Sequence, residues 1–148
     1  MQLNDKGKDL IKFYEGCKLV AYKCSANHDT IGFGNTFYED GTKVKPGDKI
    51  SQERANDLFN IIAKDFADKV APLVKSPVTP NQFGALVSFA YNAGIGNLKS
   101  STLLKKVNAN PNDPSIALEF AKWDKAGGKV LAGLTKRRAS ESKLYFTP

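Results

Sequence analysis

The chain is poor in the residues on which metal and disulfide chemistry depend: two cysteines, one histidine, one methionine and one tryptophan in 148 residues. Cys17 and Cys24 are too few for the framework of a small secreted domain and fit a reducing compartment. His28 joins them within twelve residues. With no H-E-x-x-H and no paired C-x-x-C, however, no metal and no other cofactor is expected. No apolar run approaches the ~20 residues of a membrane span. The opening stretch MQLNDKGKDLIKFYEG mixes acidic residues among its lysines and has no apolar centre, which argues against an export signal. Repeats and low-complexity linkers are also lacking, so a single soluble domain over 1–148 is the expectation.

The chain does have an excess of positive charge, 22 Lys and Arg against 15 Asp and Glu. An anionic partner or surface is implied, whether nucleic acid, membrane phosphates or an acidic wall polymer. Most of the lysines are scattered, and only Lys136-Arg137-Arg138 forms a compact run. Few aromatics interleave with that run, so a base-stacking platform is not indicated and nucleic acid ranks last. A basic C-terminal helix that disrupts membranes, or a non-catalytic cationic wall binder, stays open as a second class.

The hydrophobic pattern predicts a first helix capped by Asn4, with Leu10, Ile11, Phe13 and Tyr14 on one apolar face and Gly16 at its end. Glu15 then occupies the last turn, where the helix dipole opposes a negative charge. From Lys18 to Val44 the pattern becomes short, alternating and glycine-broken, with a turn at Asp40-Gly41: a small antiparallel sheet. Ser51 opens a long helical repeat through Leu58, Ile61, Ile62, Phe66, Val70 and Leu73 that runs until Pro77. Thr79-Pro80-Asn81-Gln82 has the form of a capping box, followed over 83–93 by a helix apolar nearly all round and ended by Gly94 and Gly96. Shorter helices are expected at 100–107, at 114–125 behind Asp113, and at 134–144.

Within the sheet region, Glu15, Cys24 and Thr30 are separated by eight and five residues, a spacing that can gather a proton donor, a thiol and a hydroxyl around one pocket. Gly32 and Gly34 read as hairpin glycines, since no helix start follows them to hold a phosphate.

YEGCKLVAYKCSANHDTIGFGNT resembles the catalytic signature of phage-type lysozymes, the endolysins of glycoside hydrolase family 24. NQFGALVSFAYNAGIGNLKSSTLL, WDKAGG and GLTKRRASESKLY match later blocks of that family in the same order. The resemblance implies an α+β, mainly helical, lysozyme-like fold, with a sheet lobe at about 16–50 and a helical lobe at about 78–148 plus the N-terminal helix, joined by the long helix. It implies hydrolysis of the β-1,4 bond between N-acetylmuramic acid and N-acetylglucosamine in peptidoglycan, with Glu15 as general acid. Cys24 stands where the family usually has aspartate. With Thr30 it would position or activate water, or it would attack the sugar itself, which would change inversion to retention. Asp29, on the strand face opposite Thr30, is the rival second carboxylate. Thr36, Tyr91, Asn92, Ser101, Thr102, Gly127 and Gly128 match positions that line the saccharide cleft. The family also implies a monomer that waits in the host cytoplasm, reaches the periplasm and wall once a holin has permeabilised the membrane, and inserts into no membrane itself. Cys17 and Cys24 could pair under oxidising conditions, blocking the second catalytic position.

Overall fold

The structure, a computed structural model, describes residues 1–24 and 26–148. Among them are seven α-helices and two small antiparallel sheets. Two compact units share the chain: one is continuous, Lys12–Asp65, and the other combines Met1–Ile11 with Phe66–Pro148.

Helix α1, Asp5–Glu15, starts as expected, with Asn4 Oδ1 accepting the Gly7 amide at 2.9 Å. Its apolar face is narrower than the sequence suggests. Ile11 is fully buried, but Phe13 is 78% exposed, because only one stripe of so short a helix can face the core. Strands β1, Lys18–Lys23, and β2, Asp29–Gly32, pair antiparallel with Tyr22 opposite Thr30 and Lys23 opposite Asp29. The Asp40-Gly41 turn forms, and the chain after it returns along β1, where the Ala21 amide donates to Asp48 O and the Ile50 amide to Leu19 O. The core of this unit contains Ile31, Phe33, Leu58 and Phe59, with the Phe33 and Phe59 rings edge to face and Lys12 Nζ over both.

Helix α2, Gln52–Val70, is capped by Ser51 Oγ, which accepts the Arg54 amide. It stops seven residues short of the expected Pro77. Pro72 offers no N–H, and its ring would strike the Asp68 carbonyl of a continuing helix. The chain tightens instead into a 3₁₀ turn, Ala71–Leu73, although the apolar spacing runs on through Leu73. Ile61 lies off the buried stripe of Ala55, Leu58, Phe59, Ala63, Ala67 and Val70 and is 48% exposed.

In the discontinuous unit, α3, Pro80–Ala93, has the full capping box: Thr79 Oγ1 accepts the Gln82 amide, and Gln82 Oε1 accepts the Thr79 amide. It is buried from Asn81 to Ala90. Gly94 ends it, but Gly96 belongs to a further helix, α4, Ile95–Ser100, which precedes α5, Thr102–Ala109. Helix α6 covers only Ile116–Ala121, and the segment expected to continue it forms a hairpin of β3, Lys125–Ala126, and β4, Lys129–Val130. Gly127 and Gly128 both have positive φ, 58° and 78°, which a two-residue hairpin loop of this hand requires.

The last helix, α7, Ala132–Tyr145, corrects the reading of the basic run. Arg137 and Arg138 are 3% and 1% exposed, and Glu141 is fully buried between them. Arg138 Nε lies 2.7 Å from Glu141 Oε1, Arg137 Nε lies 3.3 Å from Oε2, and Ser88 Oγ of α3 donates to Oε2 at 2.6 Å. Two of the three cations are thus internal, and only Lys136 faces solvent. The charge run on which a membrane-disrupting helix would depend is not a surface feature.

Candidate active site

Glu15 closes α1, and the chain turns at Gly16 into β1. Its carboxyl lies against the backbone of Gly34, which has φ 77°; a Cβ there would sit only 3.0 Å from Glu15 Cδ and would overlap Oε1. A glycine is therefore needed at 34 both for the turn and for room beside the carboxyl. Reading Gly34 as a hairpin glycine captures half of this. The close approach arises from residues nineteen apart, and no local pattern signals it.

Cys24 directly follows β1 and begins the turn to β2. Its amide donates to His28 O at 3.0 Å, its carbonyl accepts the Asn27 amide at 2.8 Å, and Asn27 takes φ 64°. This folds the chain back so that backbone N–H groups point at the sulfur. The Thr30 hydroxyl, then the His28 amide, hold the Cys24 thiol below its ordinary value; the Ala26 amide adds to them, and partial burial opposes them. Thr30 is only 2% exposed and its Oγ1 donates to His28 O at 2.9 Å. One hydroxyl proton cannot serve both acceptors, so it rests on the His28 carbonyl beside a thiol and turns to the sulfur beside a thiolate.

Asp29 points away from Thr30, as strand alternation requires, and its carboxylate pairs with Lys23 Nζ at 3.1 Å. It lines an open pocket of about 390 Å³ with His28, Thr36, Phe37 and Lys43. Thr36, expected at the saccharide rim, is therefore in a concavity of the continuous unit. Tyr22, which the sequence reading passed over, is the cross-strand partner of Thr30 and lies in β1 two residues before Cys24. Burial first, and then the charges of Glu15 and Cys24, raise its phenol above the ordinary value. The i, i+2 spacing from Cys24 was the available signal.

The other expected saccharide residues belong to the discontinuous unit. Tyr91 is half-buried, its ring 5.1 Å from that of Phe66, and Asn92 is exposed in the last turn of α3. Ser101 is 4% exposed and caps α5, with its hydroxyl accepting the Leu104 amide and donating to Leu98 O; Thr102 beside it is exposed. Gly127 and Gly128 form the exposed hairpin turn. Both cysteines are free, and Cys17 engages the Gln52 amide group. Among the described residues, no three His, Cys, Asp or Glu side chains are grouped to hold a metal ion, and no helix is long and apolar enough to cross a membrane.

A helical protein with a small sheet, carrying a carboxyl and an acidified thiol within one small unit, falls in the lysozyme class of folds. The phage lysozyme family model matches residues 12–141, and the chain belongs to that family. It is 46% identical over 149 aligned positions to an endolysin of Bacillus phage B103 and 43% identical to one of Bacillus phage PZA, covering 99% and 98% of this chain. It spans about half of those two relatives, 55% of each. Among solved structures, an endolysin from Escherichia coli O157:H7 phage FAHEc1 superposes with a TM-score of 0.90 at 39% identity, covering 99% of this chain and 94% of that one.

Proposed function

We propose that the chain is one catalytic domain of a phage endolysin, a muramidase that hydrolyses the β-1,4 bond between N-acetylmuramic acid and N-acetylglucosamine in peptidoglycan. The observation that carries the reading is the pairing, within one 54-residue unit, of a carboxyl lodged against Gly34 with a sulfur held by the Thr30 hydroxyl and two amides. Glu15 protonates the leaving glycosidic oxygen. Cys24, oriented by Thr30, activates the water that attacks the anomeric carbon from the other face. The same acidified thiol favours a second route in which the thiolate attacks the sugar. Inversion at the anomeric carbon supports the first route and retention the second.

The further glycan contacts in this reading are Thr36, Tyr91, Asn92, Thr102 and the Gly127-Gly128 backbone, with Ser101 holding the start of α5 in place. The protein acts as a monomer. It stays in the host cytoplasm until a holin opens the membrane, then reaches the periplasm and wall. Digestion of purified peptidoglycan, with products separated and the anomeric configuration followed by NMR, tests the reaction. Glu15→Gln is expected to abolish cleavage; retained lysis by that variant would return the case to a cationic, non-catalytic wall binder.

A further inference from the structure

One hairpin face carries Tyr22 and Thr30, and their exposures differ. Thr30 is 2% exposed and its hydroxyl donates to His28 O, so it has little to offer a ligand from solvent. Tyr22 is opposite Thr30 in register and so shares its face, and the charges of Glu15 and of Cys24, which directly follows β1, both act on the phenol. It is 36% exposed. Of the paired residues Tyr22 and Thr30, it is Tyr22 that is open to solvent.

We propose that Tyr22 is a substrate-positioning residue, its neutral phenol donating a hydrogen bond to an oxygen of the glycan, or of the attacking water, held beside Glu15 and Cys24. A donor in this position must keep its proton, and its neighbours ensure that it does. Each negative charge on Glu15 or Cys24 disfavours a phenolate, so Tyr22 keeps its proton to higher pH than a free tyrosine does. A hydroxyl at this point also gives the thiol what an aspartate would have less need of. A sulfur is a poor hydrogen-bond acceptor for water, and a strong neighbouring donor and acceptor restores the orientation of that water.

The role assigned to Tyr22 rests on the muramidase reading, but the arrangement of side chains can be tested apart from it. Tyrosine ring carbons followed by NMR give the Tyr22 titration, assigned by its loss in Tyr22→Phe. In the wild type the phenol should titrate above free tyrosine, and in Glu15→Gln and in Cys24→Ser its midpoint should fall. Unmoved midpoints in both variants overturn the arrangement. Kinetics on a soluble wall oligosaccharide test the role: Tyr22→Phe, which keeps the ring and its packing, should lower kcat at least tenfold at unchanged thermal midpoint. A kcat within twofold of wild type, or a loss matched by a falling thermal midpoint, overturns it. If the wild type cleaves no glycan but the titration shifts appear, the muramidase reading fails while the geometry stands.

Discussion

Replacing Gly34 with alanine separates two costs that the structure superimposes at that position. The first is conformational: φ is 77°, and an L-residue held in the left-handed region costs about 1–2 kcal/mol. Gly41 provides the control. It lies in the same unit with φ 85°, and a Cβ there meets nothing within 4 Å, so Gly41→Ala incurs the conformational cost alone. At about 2–4 °C per kcal/mol for a chain of this size, its thermal midpoint should fall by about 2–8 °C with activity intact. Gly34→Ala adds a methyl 3.0 Å from Glu15 Cδ, and the carboxyl must leave its rotamer at a further cost of about 0.5–1.5 kcal/mol. Stability should therefore drop only modestly below that of the control, whereas activity should fall about a hundredfold, the usual penalty for a catalytic group displaced by about 1 Å. Thermal unfolding of both variants, with turbidity clearance of a wall suspension well below their melting ranges, measures the two quantities. Equal activities in Gly34→Ala and Gly41→Ala would refute the claim that Gly34 seats the acid.

Three shorter predictions concern other contacts. Thr30→Val, made in a Cys17→Ser background so that one thiol remains, removes a donor to the thiolate and should move the pH midpoint of Cys24 alkylation upward; an unchanged midpoint would mean that Thr30 does not hold the sulfur. Glu141→Ala leaves two buried guanidinium groups without their carboxylate and should cost about 3–5 kcal/mol in a denaturant titration, and a loss under 1 kcal/mol would refute the internal cluster. Asp29→Asn breaks only the partly exposed pair with Lys23 and should cost under about 1 kcal/mol with lysis retained. Abolished lysis, with Cys24→Ser fully active, would transfer the second catalytic role to Asp29.

Local chemistry was legible where a few adjacent residues decide the outcome. The Thr79 to Gln82 box, the Asn4 cap and the turn at Asp40-Gly41 each depend on contacts within four residues, and the sequence states them outright. Glu15, Cys24 and Thr30 stand out as candidates by spacing and resemblance alone. Periodicity misled where a breaker interrupted it, as Pro72 does within a run of well-spaced apolar residues. It also could not tell that Phe13 and Ile61 fall outside the buried stripe. The two-residue strands around Gly127-Gly128 are too short to show a pattern of two. Arg137 and Arg138 looked like surface charge because composition does not reveal that Glu141, on the same helix, and Ser88, about fifty residues earlier, enclose them. Gly34 against Glu15 has the same origin: its meaning lies in a contact, and contacts between distant positions leave no mark on either segment alone.

The division of the chain has a consequence for synthesis. The Lys12–Asp65 unit is one uninterrupted stretch inserted into the other, so all its partners have been made once residue 65 has left the ribosome. The surrounding unit is completed last. Asn4 must wait for Asn81 to accept its amide, at 2.9 Å across 77 positions, and Ser88 must wait for Glu141, 53 positions on. Vectorial emergence thus favours early closure of the small inserted unit and leaves α3 as an apolar helix without its α7 covering until α7 has been made. That interval is when the protein is most exposed to aggregation, and slowing translation over α7 should lengthen it.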